Sequence, residues 1–277
     1  VGRFGLPLAA FALVEFARRS VAHLLVGRCL GDRALGFFSR GARLVGHPLE
    51  LFSSAVGRVT FPAYARVQED DARFRRAYRQ AVGAIATVSF PVLVGFLAVA
   101  DLFVLSFLGP QWHPVVPLIW ILGPAVLLQA IGATLGGIYL AKGRTGLMLA
   151  WETVSLLVDL AGVAIGIRWG VTGVAAGHLA ATLLLSLPAF TIPFRLIGLL
   201  IRDLSGPVGR PLAIALTMGG FLAGIRAILP RGLPDGIALA ILVPVGALLV
   251  AALTLRFDRT QADRIWGVLR GRSPEEG

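Results

Sequence analysis

The side chains that could do chemistry here are ionisable groups set inside long apolar runs. Between residues 35 and 61, Arg40, Arg43, His47, Glu50, Ser54 and Arg58 recur at helical spacing. At 100° per residue they fall within an arc of about 80° on an ideal helix. Val45, Leu49, Phe52 and Val56 occupy the other side, and Pro48 is expected to kink the helix. Between residues 4 and 27, Glu15, Arg18, Arg19 and His23 share a broader arc of about 140°, with Ala17, Val21 and Leu24 facing away. Two neighbouring helices thus turn cationic faces inward, and their arginines outnumber the carboxylates Glu15 and Glu50. Guanidinium binds phosphate through two parallel hydrogen bonds. Arg18, Arg19, Arg40, Arg43 and Arg58 are therefore candidates for a cationic cavity that receives an anion, with Glu15, His47 and Glu50 tuning its charge. The competing reading is purely structural: Glu15 pairs with Arg18 or Arg19, and Glu50 with Arg43, leaving nothing for a ligand.

A second candidate pair lies deeper. Asp159 sits near the middle of residues 146–168, and His178 lies at comparable depth in the following run, 171–193. Such a pair forms either a protonation switch for a coupling ion or a local structural hydrogen bond. Asp101 and Glu152 fall near span ends and are expected to be solvated. HExxH, GxSxG, the phosphate-binding Walker loop and paired CxxC are all missing from the sequence, and no metal or cofactor is implied. The single cysteine, Cys29, excludes an internal disulfide.

The elements that must position these groups are membrane helices. Of 277 residues, 56% are hydrophobic and 15% charged, with a mean hydropathy of +0.80. Soluble domains are about 25% charged. Runs of about 20 apolar residues each cross a bilayer as a helix. They occur near residues 4–27, 35–61, 81–108, 115–141, 146–168, 171–193, 209–229 and 236–256, so the fold class is an all-α integral membrane protein of eight transmembrane helices. Gly132/Gly136, Gly162/Gly166, Gly173/Gly177 and Gly220/Gly224 recur at four-residue spacing, which lets helix backbones approach closely. Pro91, Pro117, Pro124 and Pro188 imply kinks within spans.

The net charge of +11 would suit nucleic acid if it were clustered on a polar domain. Instead the basic residues sit in loops, and nucleic acid is not an expected partner. With alternate loops taken together, one side of the membrane holds 16 Lys and Arg and the other 4. The positive-inside rule then puts both termini in the cytoplasm. Six further arginines, among them Arg18, Arg19, Arg40, Arg43, Arg58 and Arg226, lie inside spans or at their mouths. Residues 62–80 read as a short charged helix lying on the cytoplasmic face, held to anionic headgroups by its arginines. In the tail, Ala262, Ile265, Trp266 and Leu269 share one face of an interfacial helix, with a disordered end beyond.

The stretch GRCLGDRALGFFSRGARLVGHPLELFSSAVGRVTFPAYARVQEDDARFRRAYRQA, followed by FLGPQWHPVVPLIWIL and IYLAKGRT, resembles the second half of bacterial polysaccharide exporters. These are flippases of the multidrug/oligosaccharidyl-lipid/polysaccharide superfamily, and the chain is most similar to the O-antigen and exopolysaccharide branch. The resemblance covers roughly residues 1–190. It implies a second lobe of about six spans over residues 1–193, two additional spans over 194–256, and a basic amphipathic tail over 257–277. It further implies inner-membrane transport of undecaprenyl-diphosphate-linked oligosaccharide by alternating access, driven by a proton or sodium gradient. Membrane lipids, a polysaccharide polymerase and glycosyltransferases are the implied partners. Chains of that family carry a first lobe as well, so this sequence is expected to be a fragment. Alternatives are export of lipid II or a drug, a non-transporting subunit of a polysaccharide assembly machine, or a membrane enzyme. A drug-cation cavity would carry acidic excess, and an enzyme a larger outer loop.

Overall fold

A computed structural model describes residues 2–48, 70–230 and 233–257 of the chain. All its long elements are helices. The first, α1, spans Gly2–Leu30 and stops at Gly31, whose φ of 83° is a left-handed helix end that glycine adopts without strain. A second helix, α2, runs over residues 32–48. Next come α3 (Asp71–Ala98) and α4 (Ala100–Phe107), then α5 (Val115–Gly132) and α6 (Leu135–Ala141). The bundle closes with α7 (Thr145–Gly166), α8 (Gly170–Arg195), α9 (Ser205–Ile228) and α10 (Asp235–Phe257).

Five described stretches are long and apolar enough to cross a membrane: Asp71–Ala98, Val115–Ala141, Thr145–Arg195, Ile201–Ile228 and Asp235–Arg256. The third holds two crossings, because the 3-10 turn Ile167–Trp169 folds α8 back along α7. The reversal depends on glycine. A Cβ on Gly162 would lie 2.6 Å from the Gly177 carbonyl, and Gly166 meets Gly173 in the same way. Side chains of any other type would force the two backbones apart. The other spaced pairs are not contacts of this kind: nothing lies within 4 Å of the Cβ position of Gly132, Gly220 or Gly224.

The charged segment before residue 80 is not a separate surface helix. Residues 71–80 are the first turns of α3, which continues unbroken into the membrane span. Asp70 caps it, accepting from the Ala72 and Arg73 backbone amides at 2.9 and 3.0 Å. Phe74, Tyr78, Val82 and Ala86 follow at four-residue spacing and are fully buried, so the apolar stripe of the span extends through the arginine-rich turns. The arginines lie beside that stripe, and Arg75 Nη1 donates to the Ile197 carbonyl at 2.8 Å. Residues 62–69 of that segment and the amphipathic tail expected beyond 257 lie outside the described residues.

Two spans are broken. Between α3 and α4, Val99 leaves helical geometry (φ −117°, ψ 12°), and Trp120 Nε1 donates to the Leu97 carbonyl at 3.1 Å. Between α5 and α6, Thr134 Oγ1 donates to the Ile131 carbonyl at 2.8 Å and shares a hydrogen bond with the Tyr78 hydroxyl at 3.1 Å. The core divides around α5. On one side α3, α6, the C-terminal end of α8, α9 and α10 pack Phe74, Tyr78, Phe90, Ile138, Phe194, Met218 and Leu242 together. On the other, α1, α2, α5, α7 and α8 meet through Val26, Phe38, Leu118, Val163 and Val174.

Candidate functional site: a charged cavity among six helices

Together with α6, the second group of helices borders a half-open cavity of about 780 Å³, lined from α1, α2, α5, α6, α7 and α8. Glu15, Arg18 and Arg19 reach it from α1, Arg43 and His47 from α2, Gln129 from α5, Glu152 and Asp159 from α7, and His178 from α8. Most of these groups are matched. Arg18 Nε bonds Glu152 Oε1 at 2.5 Å, joining α1 to α7. Arg19 Nη2 bonds Glu15 Oε1 at 2.7 Å, one turn away on the same helix. His178 Nδ1 lies 2.6 Å from Asp159 Oδ1, joining α8 to α7, and its Nε2 lies 3.3 Å from Gln129 Nε2. Arg43 lines the wall and, among the described residues, makes no ion pair.

Most of the candidate residues from the sequence thus converge. Arg18, Arg19, Arg43, Glu15, His47, Asp159 and His178 share one cavity. Arg40 is not on its wall and stacks instead over the Trp112 ring at 5.1 Å. Glu50 and Arg58 lie outside the described residues. Two expectations of solvation are corrected. Glu152 is 9% exposed and carries the Arg18 pair. Asp101 binds Arg226 of α9 through both carboxylate oxygens, which accounts for an arginine that loop charge leaves unexplained. Chain separations of 134 and 125 residues hide these pairs from any local spacing rule. Gln129, the amide at the far side of His178, carried no sequence signal, being one polar residue in an apolar run.

The cavity wall is less cationic than the helical arcs suggested. Among the described residues, Arg18 and Arg19 are each paired with a carboxylate and Arg43 makes no ion pair. Removing unpaired charge this way is what an apolar surround demands, since an ionisable group in a span costs about 2.5–3.5 kcal/mol to insert.

Residues 1–117 match the polysaccharide biosynthesis protein family. The chain is similar to bacterial polysaccharide biosynthesis proteins. It is 30% identical over 155 residues to the teichuronic acid biosynthesis protein TuaB of Bacillus subtilis, covering 56% of this chain and 32% of that protein. It is 25% identical over 178 residues to the lipopolysaccharide biosynthesis protein WzxC of Escherichia coli, covering 64% and 36%. The match to the succinoglycan biosynthesis transport protein ExoT of Rhizobium meliloti is 22% over 281 residues, 99% of this chain and 56% of that one. The chain therefore spans between about a third and about a half of the relatives it matches. Among solved structures, it superposes on the lipid II flippase MurJ in its inward closed conformation with a TM-score of 0.74, 15% identity, and coverage of 90% of this chain and 52% of that one. The fold is that of an all-α, multi-pass membrane bundle, as the resemblance implied.

Proposed function

We propose that the chain forms one wall of a carrier that moves lipid-diphosphate-linked glycan across the bacterial inner membrane by alternating access, without acting as an enzyme. The observation that carries this reading is Arg43, a guanidinium that makes no ion pair among the described residues and lines the wall of a cavity in an apolar bundle. A guanidinium placed there matches the paired oxygens of a diphosphate or an acidic sugar. Arg18 and Arg19 supply further cations whose carboxylates keep the unloaded wall neutral; His47 adds a titratable group beside Arg43. The names of the relatives, which concern polysaccharide biosynthesis and in one case transport, support cargo of this class. Both termini on the cytoplasmic side follow from the loop charges, and polymerase and glycosyltransferases are the partners that would supply and consume such cargo.

The test is made in the full-length protein. Arg43→Ala is expected to lower movement of lipid-linked glycan into inverted membrane vesicles about tenfold or more, corresponding to one charge-assisted contact of about 1.5–3 kcal/mol. Arg43→Lys, which keeps charge but not the fork geometry, should fall between. Normal export by Arg43→Ala at unchanged protein level refutes the assignment.

A further inference from the structure

The cavity wall is chemically divided. Its ion pairs and Arg43 come from α1, α2 and α7, with His178 of α8 against Asp159. Four aromatic side chains form another part of the same wall: Phe11 of α1, Tyr139 of α6, Trp151 of α7 and Phe190 of α8. Chain direction brings them to one end of the bundle. Tyr139 and Trp151 flank the α6–α7 turn, where Lys142 bonds Asp71 at the start of α3 at 2.6 Å. Since α8 runs antiparallel to α7, with Gly162 meeting Gly177 and Gly166 meeting Gly173, Phe190 returns to within about a turn of the level of Trp151. In contrast α1 runs parallel to α7, with Arg18 on Glu152 and Val26 sharing a core with Val163, which puts Phe11 at that end too.

One of these residues lacks something. Tyr139 is 3% exposed, and its hydroxyl has no hydrogen-bond partner among the described residues. The equally buried Tyr78 shows the usual arrangement, its hydroxyl bonded to Thr134 Oγ1 at 3.1 Å. A buried hydroxyl left unpaired is destabilising and calls for a partner from outside the protein. Ser89 Oγ on α3 is likewise unpaired, but Ser89 is not on the cavity wall, whereas Tyr139 is.

We propose that Phe11, Tyr139, Trp151 and Phe190 form a subsite for a neutral pyranose ring, the sugar nearest the lipid in a glycan whose diphosphate lies against Arg43. The subsite rests on the carrier reading above and adds a sugar contact to it. A pyranose is amphipathic in the way this wall requires. Its C–H groups present an apolar face that packs on an aromatic ring, and its hydroxyls project from the edge. Small-ligand pockets have this make, mostly apolar and aromatic with a few polar groups that fix orientation. A sugar hydroxyl is then the partner that the Tyr139 oxygen lacks. An isoprenyl chain would fill the same space but brings no hydrogen-bonding group, and a second phosphate would need a cation where Arg18 is already spent on Glu152.

The experiment measures binding of two lipids to the full-length protein in detergent: farnesyl diphosphate, and the same lipid carrying one glucose. Wild type should bind the glucosylated lipid about 25-fold tighter, about fivefold from the hydrogen bond and about fivefold from stacking. Tyr139→Phe removes the hydroxyl and keeps the ring. It should weaken the glucosylated lipid about fivefold and leave farnesyl diphosphate unchanged. Without lipid its thermal midpoint should hold or rise, because the oxygen removed has no partner; a fall marks a structural hydrogen bond and overturns the subsite. Trp151→Leu should likewise act on the glucosylated lipid alone. Arg43→Ala should weaken both lipids by the same factor, which separates the diphosphate contact from the sugar contact. If wild type binds both lipids equally, or Tyr139→Phe holds the glucosylated lipid as tightly as wild type, the subsite is overturned while the diphosphate reading stands. Equal weakening of both lipids by Tyr139→Phe or Trp151→Leu means that an isoprenyl chain occupies the patch, and overturns the sugar assignment. If wild type binds neither lipid, the carrier reading falls and the subsite with it.

Discussion

Replacing Glu152 with Gln keeps the shape of the α1–α7 contact and removes its charge, leaving the Arg18 guanidinium facing an amide. In the native arrangement Arg18 Nε sits 2.5 Å from Glu152 Oε1, with the two side chains 28% and 12% exposed. For fully buried pairs, removal of one partner costs about 3–5 kcal/mol, because the remaining charge is left without compensation. The cavity beside this pair admits solvent, which lowers the expected cost to about 1–3 kcal/mol. Arg18→Gln should cost a similar amount. The double substitution should cost much less than the two singles added, since neither charge is then stranded. A double-mutant cycle on reversible unfolding of the full-length protein in mixed micelles reads this coupling directly. A coupling below about 0.5 kcal/mol, within the usual additivity error, would refute the view that this ion pair fastens α1 to α7.

Three further substitutions probe the framework. Gly162→Val should destabilise the α7–α8 hairpin by about 1–3 kcal/mol or more through overpacking, whereas Gly220→Ala, with nothing within 4 Å of its Cβ position, should be neutral or slightly stabilising in the same thermal unfolding assay. Trp120→Phe removes the donor to the Leu97 carbonyl and should lower stability by about 1 kcal/mol, with faster amide exchange around Val99. At the start of α3, hydrogen bonds from the Arg73 and Ala72 amides hold the Asp70 carboxyl below its ordinary value of 3.8. A carboxyl lowered on folding stabilises the folded state above that ordinary value, and the contribution is lost as pH falls through the folded value. Acid fraying of the first turn, followed by amide exchange, should therefore lose its pH dependence in Asp70→Asn.

The six apolar runs from residue 81 onward were legible because crossing a bilayer demands about 20 apolar residues in sequence, a purely local requirement, whereas the charged α1 and α2 are not among the described stretches that meet it. Their ends were less so. The arginines of residues 73–79 looked like a surface helix because charge was weighed before the Phe74–Tyr78–Val82 stripe that buries one face. The breaks at Val99 and at residues 133–134 leave no local mark, since the groups that satisfy the freed carbonyls come from Trp120 on another helix and from an ordinary threonine. Helical arcs brought Glu15, Arg18, Arg19, Arg43 and His47 to one side correctly, and the matched depth of Asp159 and His178 anticipated their contact. An arc counts charges on one helix and cannot see those brought by another. Glu152 therefore went unassigned, and the cavity was expected to be more cationic than it is.

The two segmented spans bear on the mechanical compliance of the cavity wall. A continuous helix resists bending because each stretched backbone bond leaves a carbonyl facing hydrocarbon, at several kcal/mol per group. At Leu97 and Ile131 the carbonyls near the breaks are already served by the Trp120 indole and the Thr134 hydroxyl. Flexing α4 against α3, or α6 against α5, then strains side-chain bonds worth about 1 kcal/mol each while the backbone ladders on either side stay intact. These joints lie in adjoining spans, and the second borders the cavity at Gly132 and Ala133. The wall can thus hinge at low elastic cost beside the charged groups, while the glycine-locked α7–α8 hairpin opposite moves as a stiff strut.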